Sequence, residues 1–165
     1  MGNLYPAMGP KNPWVWNNID MAIIDYLTPE VAAAEVLPAD AQLIAISDLP
    51  GHAAVKLVFA KYRGGTLAPY NEVVLGIPCL YKEQLAMYVP FIYVTTDDAM
   101  ASGRELGGFP KKIADIRFEH MGNHIVGTLD RAGVRVVSFS LEKGGSCSRC
   151  RCRRTISRSS VTPTT

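Results

Sequence analysis

With 165 residues, 48% hydrophobic and 19% charged, the chain has the size and composition of one globular domain with a real core, which excludes a disordered polypeptide and leaves little room for a second domain. No apolar run approaches the ~18 residues that a membrane-spanning helix requires. The formal net charge of +2 is a sum of opposites: residues 145–165 hold five arginines and no acid, which leaves 12 basic against 15 acidic residues, −3, over 1–144.

The opening "MGNLYPAMGPKNPW" places prolines where an export signal needs an apolar core, so no such signal is expected. Cys79 stands alone in an apolar stretch, as a buried free thiol does. Nothing resembles a secreted disulfide framework, and the expected location is a reducing cytoplasm.

In chain order, "WVWNNIDMAIIDYL" reads as a strand ending near Tyr26. "TPEVAAAEV" reads as a short helix over 28–36, with Thr28 as its cap, Pro29 in the first turn and Glu30 complementing the dipole. "AQLIAISDL" and "HAAVKLVFAKY" are predicted strands around a Pro50-Gly51 turn. "NEVVLGIPCLY" and "QLAMYVPFIYVTT" follow as further strands, with Pro78 and Pro90 marking edges or bulges. The period then changes: Thr96 as cap, Asp97 and Asp98 in the first turn, and Gly107 as terminator predict a helix over 96–106. "KIADIRFEH", "HIVGTLD" and "VRVVSFSLE" read as successive antiparallel strands, with "DRAG" a turn between the last two. Strands dominate, with two short helices and no βαβ alternation. The expected class is α+β, mainly β, built as a barrel or sandwich.

From Gly144 the grammar changes. "GGSCSRCRCRRTISRSSVTPTT" has only Ile156 and Val161 as large aliphatics, which cannot offset its ordering entropy. The predicted organisation is a domain over 1–144 and a disordered basic Cys/Arg/Ser tail over 145–165. Cys147, Cys150 and Cys152 lack a fourth ligand for a closed zinc site. The arginine-serine run lacks the interleaved aromatics that stack nucleic-acid bases, so no nucleic-acid partner is expected.

The chemistry concentrates in "GRELGGFPKK", residues 103–112, where Lys111 and Lys112 follow Phe109 and Pro110 and open a β-type run. Paired lysines ordinarily mark a solvated loop. An amine attacks a carbonyl only when neutral, and an ordinary lysine with a pKa near 10.4 is uncharged about once in 2,500 at pH 7. A nucleophilic lysine therefore needs desolvation, a nearby like charge, or both. Adjacent strand residues point to opposite faces. At ~8 Å and an effective dielectric near 20, a second ammonium contributes about 2 kcal/mol of repulsion, roughly half of what is needed. Desolvation must supply at least as much.

Glu72, in "PYNEVV", is either a substrate-orienting carboxylate or a solvent-facing member of an alternating strand. His52, His120 and His124 show no metal spacing, and no metal is expected. Arg104 and Glu105 suit salt bridging or capping late in the second helix.

"GRELGGFPKK" followed by "IVGTLDRAGVRV" closely resembles the acetoacetate decarboxylase family, most strongly over residues 70–143. Acetoacetate decarboxylase is a known example of a lysine activated for Schiff-base chemistry. The resemblance implies an antiparallel barrel or cone, with Lys111 as nucleophile, Lys112 as its perturbing neighbour and Glu72 as pocket carboxylate. It makes Phe109 and Tyr93 substrate-binding residues. It implies a small β-keto acid as substrate, no cofactor, no membrane partner and a homo-oligomeric assembly.

Three departures stand beside it. The family's decarboxylases carry an arginine in the first strand, where this chain has Ile19 and no arginine before Arg63. A second pocket carboxylate is expected near Leu57. Further strands are expected after 133–142, where the basic tail follows instead, so the expectation is a C-terminally truncated member with an incomplete sheet. The first two departures keep open an aldol-type condensation or dehydration on the same lysine, and the third an inactive fragment.

Overall fold

The structure, a computed structural model, describes residues 15–46 and 48–142. The expected tail boundary at 144/145 lies outside them. The described residues form nine strands, β1 (Ile19–Pro29), β2 (Ala41–Leu43), β3 (His52–Tyr62), β4 (Tyr70–Tyr81), β5 (Gln84–Val94), β6 (Lys111–Ile113), β7 (Asp115–Met121), β8 (His124–Arg131) and β9 (Val134–Glu142). They also form two helices, α1 (Glu30–Ala34) and α2 (Asp97–Gly107). The mainly-β class with two short helices holds.

Two sheets divide the strands. The larger runs β1-β3-β4-β5-β6, with β2 paired to the far end of β4; the smaller runs β7-β8-β9. Their facing sides make the main core, where Leu57, Phe59 and Val73 of the large sheet meet Ile116, Phe118 and Leu129 of the small one. Phe59 anchors it, edge-on to Phe139 at 4.9 Å between ring centroids and 6.2 Å from Phe118. Asn71 Nδ2 donates across the sheets to the Ile116 carbonyl at 2.9 Å.

Several boundaries differ from the sequence reading. Asn18, with φ 50, breaks the first segment, so β1 begins at Ile19 and runs to Pro29. Thr28 is therefore a strand residue pairing with Ala53, and the N-cap of α1 is Pro29, which has no side chain to bond the helix amides. The strand predicted from Ala41 spans only Ala41–Leu43, because only its pairing with Cys79–Tyr81 offers hydrogen bonds. The β4–β5 ladder shifts register between Leu75 and Ile77, where Gly76 of β4 faces both Val89 and Pro90 of β5, so the bulge falls at Pro90 as expected, while Pro78 pairs regularly with Met87. Cys79 is buried as a free thiol.

The largest difference is "KIADIRFEH". It is not one strand: the chain turns at the buried Ala114, so Lys111–Ile113 belong to the large sheet and Asp115–Met121 to the small one. Moreover β6 runs parallel to β5, pairing Ile92 with Lys111 and Val94 with Ile113, after a crossover through α2. One βαβ unit therefore exists where none was expected. The "DRAG" turn is as predicted, with Ala132 and Gly133 both at positive φ (49° and 76°), the conformation of a type I′ hairpin. No described helix is long and apolar enough to cross a membrane.

Candidate active site

Register decides which side chains meet. Tyr70, Glu72 and Val74 alternate onto one face of β4. The pairs Tyr62–Tyr70, Glu72–Val94, Val74–Ile92 and Ile92–Lys111 carry that face across β3, β5 and β6. It is the face away from the small sheet, and α2 lies over its β5–β6 side.

The end of α2 delivers Lys111. Gly108 adopts the left-handed conformation, φ 65, and its amide and that of Phe109 both donate to the Gly103 carbonyl, which stops the helix. Thr96 occupies the expected N-cap position, yet its hydroxyl is buried with no partner and makes no capping bond. The Lys111 amide donates to the Phe109 carbonyl at 2.8 Å, folding the chain tightly around Pro110. Arg104, late in the helix, donates to the Lys111 carbonyl at 3.3 Å, a bond to β6 in place of the salt bridge or helix-capping bond expected of it.

The side chain of Lys111 then runs beside α2. A Cβ on Gly103 would lie 2.4 Å from both Lys111 Cδ and Cε, so the bare glycine backbone makes the slot that the lysine occupies. At the end of the slot Lys111 Nζ donates to Glu72 Oε2 at 2.6 Å, with the two side chains 11% and 10% exposed. Thirty-nine residues of sequence separate this pair.

Aromatic groups complete the surroundings. Tyr62 and Tyr70 stack at 4.5 Å between centroids, with Tyr62 Oη donating to Glu72 Oε1 at 3.4 Å. Trp16 packs against Tyr62 at 5.9 Å, and its indole is hydrogen-bonded to the Tyr70 hydroxyl. Lys111 Nζ lies 5.8 Å from the Tyr70 ring centre. Burial, reinforced by the Glu72 charge, pushes the Tyr62 phenol up to about 12, and the same two causes raise Tyr70 further. Both phenols are thus neutral donors near pH 7. Val74, Val89, Ile92, Leu106 and Phe109 close an apolar cavity of about 630 Å³ around the ion pair. An amine, a carboxylate and two phenols in an apolar hollow can support covalent catalysis at a carbonyl.

The chain matches the acetoacetate decarboxylase (ADC) family over residues 4–155. It is 36% identical over 126 residues to acetoacetate decarboxylase 3 of Mesorhizobium japonicum, covering 76% of this chain and 46% of that protein. The chain belongs to the acetoacetate decarboxylase family. It spans about half the length of the curated family members it matches. The fold agrees: acetoacetate decarboxylase from Legionella pneumophila superposes with a TM-score of 0.70 at 24% identity, over 84% of this chain and 53% of that one. The enduracididine biosynthesis enzyme MppR, complexed with the condensation product of pyruvate and imidazole 4-carboxaldehyde, superposes with a TM-score of 0.58 at 20% identity, over 75% of this chain and 53% of that one.

Of the residues expected from the family resemblance, Lys111, Glu72 and Phe109 meet in the cavity. Lys112 does not. It lies on the opposite face, exposed, with Nζ 5.9 Å from the Phe91 ring centre, as strand alternation requires. Tyr93 is also on that face, paired with Lys112, packed against the inter-sheet core and covered by Arg131 at 5.9 Å. Its expected substrate contact is corrected by the same alternation: Ile92 and Val94, not Tyr93, face the ion pair. Leu57 likewise points into the inter-sheet core, and the β3 positions on the cavity side are Val58, Ala60 and Tyr62. Ile19 does stand beside Tyr62 at the end of β1, and Arg63 is bound to Asp20.

Sequence reasoning missed Gly103, Tyr62, Tyr70 and Trp16. A glycine inside a helix is the signal for the first, since it is costly there without a packing reason. Tyr70 stands two residues before Glu72 and shares its face by period alone. Tyr62 and Trp16 carry no local signal. Among the described residues no group of three His, Cys, Asp or Glu could hold a metal ion.

Proposed function

We propose that Lys111 is a Schiff-base nucleophile and that the chain acts as a carboxy-lyase on a β-keto acid. The observation that carries this reading is the direct Lys111–Glu72 contact inside an apolar cavity. Family membership supports it. The neutral amine of Lys111 adds to the ketone, whose oxygen leaves as water, giving a protonated imine. The electrons of the carbon–carboxylate bond then flow into that imine as CO₂ departs. The enamine is protonated on carbon, and water hydrolyses the resulting imine to release the ketone and regenerate the lysine. Glu72, bonded to the reacting nitrogen, orients the amine and accepts its surplus proton; Tyr62, bonded to the other carboxylate oxygen, fixes Glu72 in place. Lys112, on the far face, acts through its field alone.

Borohydride trapping tests the reading. Incubation with acetoacetate at high concentration followed by reduction is expected to leave one adduct on Lys111, absent in Lys111→Ala. A folded, unlabelled protein would sink the proposal and leave an inactive family member. A second reading, aldol-type condensation, keeps the same imine; it is favoured by Lys111 being the sole cation among the described residues that line the cavity. Acetone release from acetoacetate selects the lyase, and condensation of pyruvate with an added aldehyde selects the alternative. A homo-oligomer remains part of the proposal, tested by the mass of the native protein in solution.

A further inference from the structure

The cavity is built for more than the reacting carbonyl. At about 630 Å³ it lies within the ~300–1,000 Å³ range of pockets that enclose drug-sized ligands. A four-carbon keto acid would leave most of it filled with solvent. Nor do its charges distinguish one β-keto acid from another. Among the described lining residues Lys111 and Glu72 are the charged groups, and each already neutralises the other at 2.6 Å.

What the walls offer is apolar and aromatic surface, and it lies where the ketone's substituent must go. An imine formed on Lys111 Nζ starts 5.8 Å from the Tyr70 ring centre, beside the stacked Tyr62–Tyr70 pair and the tilted ring of Trp16. Across the hollow stand Leu106 and Phe109, large apolar side chains that are 61% and 47% exposed. At the cavity mouth these side chains are apolar surface that a bound ligand can cover, and flat aromatic groups gain most from packing on aromatic walls.

We infer that this cavity selects a β-keto acid whose ketone bears an aryl group, held between the Trp16–Tyr62–Tyr70 wall and Leu106. The inference deepens the proposed function and rests on Lys111 being the nucleophile. The chemistry is unchanged: the amine displaces the ketone oxygen as water, CO₂ leaves, and an aryl ketone is released in place of acetone.

The test is a labelling series on the full chain with acetoacetate, 3-oxohexanoate and benzoylacetate, each reduced with borohydride and mapped by mass spectrometry. Labelling is normalised to that of N-acetyl-lysine free in solution, which removes the intrinsic reactivity of each ketone. Benzoylacetate is expected to half-label Lys111 at about tenfold lower concentration than acetoacetate, with 3-oxohexanoate between them. In a Trp16→Ala/Leu106→Ala variant that preference is expected to shrink to a few-fold or less. Equal labelling, or a preference for acetoacetate, overturns the substrate assignment while leaving the nucleophile standing. A preference undiminished in the double variant overturns the assignment to this wall. No adduct on Lys111 with any of the three overturns the nucleophile itself, and this inference with it.

Discussion

Lys111 and Glu72 are each about nine-tenths buried, and their burial is tolerable only because they are together. Removing one partner of such a pair leaves an uncompensated charge in an apolar setting, whereas replacing both with apolar groups removes the penalty. Lys111→Met is therefore expected to lower unfolding stability by about 3–5 kcal/mol, and Lys111→Met/Glu72→Leu to recover most of it. Urea denaturation of the two variants checks this, and equal midpoints would show that the pair is not buried in solution. Part of this constellation is legible in the amino-acid order, because Phe-Pro-Lys-Lys after a helix end draws attention to Lys111, whereas Glu72 is marked only by the family resemblance. What joins them is not legible. Thirty-nine residues apart, they meet because β6 pairs with β5 and β5 with β4. Tyr93 shows the complementary failure: its residue type suits a substrate contact, but the parity of its strand position sends it to the other face.

At the scale of elements, the crossover from β5 through α2 to β6 is what brings a lysine to a cavity rather than to solvent. The helix and the lysine it delivers fit because Gly103 has no side chain. Gly103→Ala should favour the helix by about 1 kcal/mol on propensity alone. Its Cβ would nevertheless stand 2.4 Å from the lysine chain, so the ammonium must leave its position beside Glu72. Borohydride labelling of Lys111 is expected to fall about tenfold or more, since displacements near 1 Å are costly for reacting groups. Helical circular dichroism should hold, while the denaturation midpoint should fall, because the separated pair leaves buried charge uncompensated. Retained labelling would mean the slot is not required. The helix itself is readable from Thr96, the two aspartates and the terminal glycines, but the parallel strand after it is not. Three residues, Lys111–Ile113, are too few for periodicity to distinguish a parallel partner from the start of a hairpin.

The whole molecule depends on two sheets sharing one core, and Gly127 shows how closely they fit. It sits on β8 between Phe118 of β7 and Phe139 of β9, and an added Cβ would lie 2.1 Å from the Phe139 ring. Because Phe139 in turn stands edge-on to Phe59 of the large sheet, the displacement would be passed across the interface. Gly127→Ala is expected to cost about 1–3 kcal/mol, as overpacking of a filled core does, measured as a lowered denaturation midpoint. An unchanged midpoint would indicate a loosely packed interface. The sheets also keep the site's back wall rigid, since Asn71, next to Glu72, is bonded to the Ile116 carbonyl of the small sheet.

The sequence by itself determined the mainly-β class, both helices within a few residues, most strands, the family, and Lys111 with Glu72 as the residues to watch. The elements follow from local causes, alternation, capping chemistry and turn glycines, and the two site residues from the family resemblance that the compact lysine motif carries. Only the tertiary structure decided which faces these residues share. It split one predicted strand between two sheets at Ala114, made β6 parallel, turned Lys112, Tyr93 and Leu57 away from the cavity, and brought Tyr62, Tyr70 and Trp16 to it. The reason is physical. A strand's two faces are equivalent until a partner covers one of them, and register against distant strands, not local preference, assigns each side chain its side.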